Sequence, residues 1–369
     1  MGDRSAIEWT DATWNPVTGC SKVSPGCAHC YAATLAPRLA RMGQQGYTEL
    51  PWTPENAAAN VFLHVDRLAM PIRWTRPRRI FVNSMSDLFH EQVPDEFILR
   101  VFGTMRAAPQ HAFQVLTKRP DRMRDLVTRL AWRTPTQQER DAGVRSYVAY
   151  LGAPGSDPLS NVWLGTSVEN QTWADRRIPE LLATPAAVRF LSCEPLLGHV
   201  DLSVGLRVSW QCSGCRHYYA GRHRETCPDC GRVGYWTGSH AFNRPDSQTG
   251  SGIDWVIAGG ESGPGARPMH SDWVRSLRDQ CRAMDTAFLF KQWGQWARGS
   301  SMTRNGWRDE DLVIARDGRA VPWADVERTL ARDHQAALGL EVLHRVGAKS
   351  SAGRELDGRT WDEYPAVPA

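Results

Sequence analysis

Cysteine is the residue type here with the plainest chemistry, and the nine cysteines fall into groups. Cys20, Cys27 and Cys30 lie in WNPVTGCSKVSPGCAHCYA with the spacing Cys-x6-Cys-x2-Cys. Three thiolates on one Gly/Pro-rich loop, with no fourth cysteine nearby, predict a [4Fe-4S] cluster with one iron left open. A closed zinc site is the alternative, and it needs a fourth ligand from His29 or Cys193. Cys212, Cys215, Cys227 and Cys230 are spaced Cys-x2-Cys-x11-Cys-x2-Cys. Two such knuckles complete a tetrahedral four-thiolate site, read as zinc with iron the lesser alternative. Cys193 and Cys281 stand alone. The N-terminus, MGDRSAIEWTDATWN, is acidic and has no apolar signal segment, so the expected location is cytoplasmic. An odd cysteine count in that compartment argues against a disulfide framework.

These cysteines need elements to position them. Short apolar runs ending in polar turns alternate with helical patterns. The runs are ATWNPVTG, RRIFVNSMSDLF, HAFQVLTKRP, NVWLGTSVEN, VRFLSCEPLLG, IDWVIAGGESG and AFLFKQWG. Such alternation builds a parallel sheet flanked by helices. The predicted fold is therefore α/β, an open or partial (β/α) barrel over residues 1–205 and 251–300. Residues 206–250 read as an inserted four-cysteine zinc ribbon, and 301–369 as a C-terminal extension. A helix interrupted at Pro179 is expected after the fourth strand. Chemistry in such folds sits at the carboxyl ends of the strands. Those ends carry NSMSD, LTKRP, GTSVEN, SCEP, GGESG and FKQWG. GGESG lacks the phosphate-loop lysine pattern and reads as a tight turn that brings Glu261 into a pocket.

Composition narrows the class. The chain has 369 residues, 41% hydrophobic and 23% charged, which excludes a mostly disordered protein. No segment has the roughly 20 apolar residues a membrane span requires, so no membrane partner is expected. The net charge of +4 permits an acidic partner without demanding one. Only four of the 44 basic residues are lysines, Lys22, Lys118, Lys291 and Lys349, which marks each as a candidate or as a leftover of an arginine-rich composition. The insertion holds six arginines against three acids, with Trp210, Tyr218, Tyr219, Tyr235 and Trp236 among them. That mixture suits nucleic acid, and it also suits the solvated rim of a structural ribbon.

A three-cysteine loop after the first strand of a (β/α) barrel resembles the radical S-adenosylmethionine (SAM) superfamily. The usual motif there is Cys-x3-Cys-x2-Cys. This chain has six residues in the first interval and His29 in place of the usual aromatic. More narrowly, SAIEWTDATWNPVTGCSKVSPGCAHCYA, FVNSMSDLFH, FQVLTKRP, VWLGTSVEN, FLSCEPLLG, WVIAGGESG, FKQWG and LDGRTWDEYP resemble the phage gene-product 37/68 family. The resemblance implies that the cluster cleaves SAM and generates a 5′-deoxyadenosyl radical. It implies Ser84, Ser86 and Asp87 as contacts for the methionine ammonium, and Ser167, Glu169 and Asn170 for the ribose. Lys118 and Lys291 would meet the methionine carboxylate or a substrate phosphate, and Glu261 would reach the same pocket. An electron donor such as flavodoxin or ferredoxin follows from that chemistry.

Cys193, at the end of the fifth predicted strand, has three readings. It returns a hydrogen atom to a substrate radical, as in the photoproduct lyase branch; it is a small buried residue; or it is a fourth metal ligand. The leading function is a radical SAM enzyme acting on a nucleic acid or nucleotide. The alternatives are radical SAM modification of a protein or small molecule, and a non-enzymatic zinc-dependent nucleic-acid-binding protein.

Overall fold

A computed structural model describes residues 5–141, 148–152, 157–202, 209–212, 218–220, 230, 236–240, 252–298, 311–323, 325 and 339–366. Seven strands form one parallel sheet: β1 Ala12–Trp14, β2 Arg79–Val82, β3 Ala112–Thr117, β4 Val162–Ser167, β5 Val188–Cys193, β6 Trp255–Gly259 and β7 Ala287–Gln292. They lie side by side in chain order, and β1 and β7 form the two edges. The sheet curls into a half-barrel, the coarse architecture that the strand–helix alternation predicts.

The period of two along each strand separates two hydrophobic layers. One set, including Trp14, Ile80, Val82, Phe113, Val115, Leu164, Leu191, Val256 and Phe288, packs outward with the helices. The other, Trp9, Phe81, Trp163, Phe190, Trp255, Ile257 and Leu289, fills the concave side. Each large side chain fully buried there contributes roughly 1.5–3 kcal/mol. Gly165 is required by this filling. A Cβ at that position would lie 2.6 Å from the Phe190 ring, so only glycine leaves the ring its place.

Helices return the chain between strands: α1 Tyr31–Arg41, α2 Asp95–Ala107, α3 Pro120–Val127, α4 Gln171–Leu182 and α5 Ser271–Ala283. Asp95 and Glu96 place negative charge in the first turn of α2, complementing its dipole. Asn170 caps α4, its side chain accepting from the Trp173 amide. The interruption expected at Pro179 does not occur: α4 runs through it. The packing of Ala174, Ile178 and Leu181 against the sheet compensates for one missing backbone donor.

Within the expected insertion, Ser209–Cys212, Tyr218–Ala220 and Trp236–His240 form a three-stranded antiparallel sheet. A second small sheet joins Trp296–Arg298, Leu312–Ile314, Ala320–Pro322 and Glu341–Arg345. Beyond it the chain returns to the free edge of β7. The Phe290 amide donates to the Trp361 carbonyl, and the Trp255 indole donates to Glu363 O at 2.9 Å. The Tyr364 hydroxyl then donates to Glu8 O at 3.3 Å, tying the tail to the N-terminal segment. Among the described residues no helix is long and apolar enough to cross a membrane.

Candidate functional site

At the carboxyl ends of the strands the half-barrel encloses a cavity of about 450 Å3. Cys20, Cys27 and Cys30 all line it. The loop carrying them is shaped by its own sequence. Gly19 adopts a φ of +82°, and a Cβ there would lie 1.8 Å from Asn60 O, so glycine alone fits. Pro25–Cys27 forms a single helical turn, and Cys30 occupies the N-cap of α1.

Buried charges fix this loop from three sides. From β4, Glu169 accepts from Ser24 Oγ at 2.6 Å and from Arg177 Nη1 at 3.0 Å, with no exposed surface of its own. Gly26 packs so closely on Glu169 that a Cβ would stand 2.4 Å from Oε1. From β6, Glu261 accepts from Arg267 at 2.6 and 2.8 Å and pairs with His29 Nδ1 at 3.1 Å. Arg267 also donates to Pro25 O at 2.9 Å. From β3, the Arg119 guanidinium spans 3.7 Å to Cys20 Sγ, 3.1 Å to Ser21 Oγ, 3.2 Å to Asp87 and 2.8 Å to Glu91.

The electrostatics follow from these contacts. Burial pushes the Cys20 thiol up to about 12, with Asp87 adding to the rise and Arg119 opposing it. Burial also disfavours the Asp87 carboxylate. Arg119 and the Lys118 and Phe89 amides outweigh that and hold it below the usual carboxylate range. Glu261 likewise lies low, because the Arg267 hydrogen bonds exceed the cost of its burial.

Six of the cofactor residues anticipated from sequence line the cavity: Ser84, Ser86, Asp87, Lys118, Ser167 and Lys291. Lys118 Nζ donates to Ser167 Oγ at 2.9 Å, and Lys291 pairs with Glu194 at 2.8 Å. Ser84 exchanges hydrogen bonds with Asn15, and Ser86 donates to Val17 O at 2.8 Å. Glu169, Asn170 and Glu261 do not line the cavity. Asn170 caps α4, and the two glutamates hold the cysteine loop; the GGESG turn brings Glu261 to His29 and Arg267, away from the pocket. Cys193 is corrected in the same way. It is fully buried in the outward, helix-facing layer with Cys281, while its neighbours Ser192 and Glu194 face the cavity. Strand alternation turns its thiol away from the site, which also removes it as a fourth ligand to the Cys20 loop. Burial raises that thiol well above its ordinary value.

Sequence reasoning passed over Arg119 and Glu194, each adjacent to a residue it chose. LTKRP offered both Lys118 and Arg119. In FLSCEP, a period of two running from Phe190 through Ser192 reaches Glu194 and skips Cys193. Among the described residues no three His, Cys, Asp or Glu side chains already converge as a ligand set. Of the four later cysteines, Cys212 ends its strand and Cys230 is exposed, while Cys215 and Cys227 lie outside the described residues.

Fold and site together define an α/β half-barrel protein with a three-cysteine loop clamped over a cavity at the carboxyl ends of its strands. The chain belongs to the family described as Protein of unknown function (DUF5131), whose model matches residues 4–365. No curated protein and no solved structure matches the chain.

Proposed function

We propose that the protein is a radical SAM enzyme and a divergent relative of the phage gene-product 37/68 group, acting on a nucleic acid or nucleotide in the cytoplasm. The observation that carries this reading is the shared cavity: three cysteines of one loop open onto a single space at the strand ends. Its volume of about 450 Å3 falls within the ~300–1,000 Å3 of small-molecule and cofactor sites.

The donor types lining the cavity suit these groups, although the three thiols do not already converge as a ligand set. Cys20, Cys27 and Cys30 would hold three irons of a [4Fe-4S] cluster, leaving the fourth for the amino and carboxylate groups of SAM. When bound, the cluster and SAM supply one-electron cleavage of the sulfonium to methionine and a 5′-deoxyadenosyl radical. The chain's own part is to bind and orient. Lys118 carries the cavity's anion-binding role, because its ammonium meets a hydroxyl at 2.9 Å. Lys291 is already neutralised by Glu194 at 2.8 Å. Arg119 holds Cys20 and Ser21 in place. Trp9, Phe81 and Leu116 give the cavity an apolar flank.

The insertion is proposed to hold zinc through Cys212, Cys215, Cys227 and Cys230. Support comes from their spacing and from the three-stranded sheet in which Cys212 ends a strand. A flavodoxin or ferredoxin would supply the electron.

Anaerobic reconstitution tests the reading. The expected product is a brown protein that cleaves SAM on reduction, with about one zinc beside its iron. Cys20→Ala, Cys27→Ala and Cys30→Ala each abolish cleavage while the sheet stays folded. Cleavage retained in all three variants overturns the proposal. A protein binding zinc at both cysteine groups, and no iron, supports the non-enzymatic alternative instead.

A further inference from the structure

The cavity has two chemically different ends. The cysteine end carries Lys118, Arg119 and Lys22 beside the carboxylate of Asp87, which Arg119 already holds at 3.2 Å. The opposite end, formed by the tips of β5 and β7 and by the N-terminal segment, carries two carboxylates, Glu8 and Glu194, around one ammonium, Lys291. Lys291 feels both, and their charges raise its pKa against the burial that lowers it. β6 places no side chain between them, because Gly259 stands there, with Glu194 Cγ and Lys291 Cβ each 3.5 Å from where its Cβ would be. Glu194 gives only one oxygen to the lysine. Its Oε1 is buried and meets no donor among the described residues. A buried acceptor without a donor is costly, and a ligand N–H would relieve that cost. Trp9 and Phe81, whose ring centroids lie 4.6 Å apart, line the same cavity.

We infer that this end is a recognition subsite for a flat nitrogenous group, one that presents N–H donors and carries no negative charge. Glu194 accepts the N–H through Oε1, Lys291 occupies its other oxygen, and Trp9 and Phe81 supply an apolar wall. An amidine, an aminated ring or a nucleobase amide has this chemistry; a phosphate or carboxylate does not. An anionic part of the substrate is directed to the Lys118 end or outside the cavity. The inference rests on the cavity described above and on no cluster or SAM, so it stands or falls apart from the proposed reaction.

Three probes of one shape and different charge test it on the full-length chain without metal or SAM: benzamidine, benzamide and benzoate, with binding read by calorimetry. Benzamidine is expected to bind at least tenfold more tightly than benzoate, with benzamide between them. Glu194→Gln lowers benzamidine affinity at least tenfold and removes the discrimination. Lys291→Met tightens benzamidine, because the competing ammonium is gone, and this variant keeps the test open if Glu194→Gln does not fold. Benzoate binding as tightly as benzamidine, no binding of any probe, or benzamidine affinity unchanged in Glu194→Gln or weakened in Lys291→Met would each overturn the inference. SAM cleavage by a protein that prefers benzoate would leave the proposed reaction standing and remove only the subsite.

Discussion

The rim that carries the cysteines and the floor beneath it use charge in opposite ways. At the rim, Glu169, Glu261 and Asp87 are buried and fully engaged in positioning the loop, through Arg177, Arg267 and Arg119. On the floor, Lys118 meets a hydroxyl, and Glu194 keeps one oxygen without a donor among the described residues. Buried carboxylates whose oxygens are all engaged build a scaffold, whereas a carboxylate lining the cavity with one oxygen unfilled awaits a ligand. Changes at the rim therefore act on stability and loop geometry, and changes on the floor act on binding.

The largest effect is expected from Glu169→Ala. It leaves Arg177 buried without its carboxylate and frees Ser24, at a cost of about 3–5 kcal/mol in chemical denaturation. Gly26→Ala sharpens the point, because it disturbs only the loop's seat on Glu169 and is expected to cost roughly 1–3 kcal/mol. If Glu169→Ala unfolds at the same denaturant concentration as the parent, the rim is not a scaffold.

Arg119→Met comes next, at roughly 2–4 kcal/mol, since it strips Asp87 of its buried cation and Cys20 of its donor. Retained stability would separate Arg119 from the rim and place it with the floor.

The third effect depends on pH. His64 bonds Thr18 at 2.9 Å beneath the start of the cysteine loop, and burial lowers its pKa to about 4. The unfolded chain takes up this proton near pH 6.5, before the folded chain does. Stability from this group is thus complete above pH 6.5 and declines as pH falls toward 4, by about 2 kcal/mol at pH 5. Denaturation at pH 7 and pH 5 measures it, and His64→Gln removes this part of the decline. An equal decline in the variant would assign the effect to other groups.

Smallest in stability terms are the floor and the outward layer. Lys118→Met is expected to shift stability by less than about 1 kcal/mol while weakening SAM binding at least tenfold. Cys193→Ala costs about 1 kcal/mol as a packing change and leaves ligand binding unaltered. A large binding defect in Cys193→Ala would mean that its thiol reaches the cavity after all.

The sheet was legible in the sequence because each strand is a short apolar run bounded by polar turns, and all seven appear where those runs lie. The cavity's position followed from strand ends alone. Side-chain direction was harder to read. Cys193 stood out as a reactive residue type, yet the alternation Phe190, Ser192, Glu194 faces inward and leaves it outside. Glu169 and Glu261 resembled ligands because polar residues at strand ends commonly are. Each has a nearby arginine, Arg177 or Arg267, but their partners on the cysteine loop, Ser24 and His29, lie 145 and 232 residues away and carry no local signal. The tail's return to β7 was hidden for the same reason: LDGRTWDEYP reads as turns, and only the free sheet edge gives it a partner.

The most direct test is to reconstitute the full-length protein anaerobically with iron and sulfide, then measure iron content and SAM cleavage on reduction. The account predicts about four irons at the Cys20, Cys27 and Cys30 loop. It further predicts 5′-deoxyadenosine and methionine as products, both lost in Cys27→Ala. A protein that takes up no iron beyond the insertion, or that cleaves SAM equally well without Cys27, would contradict it.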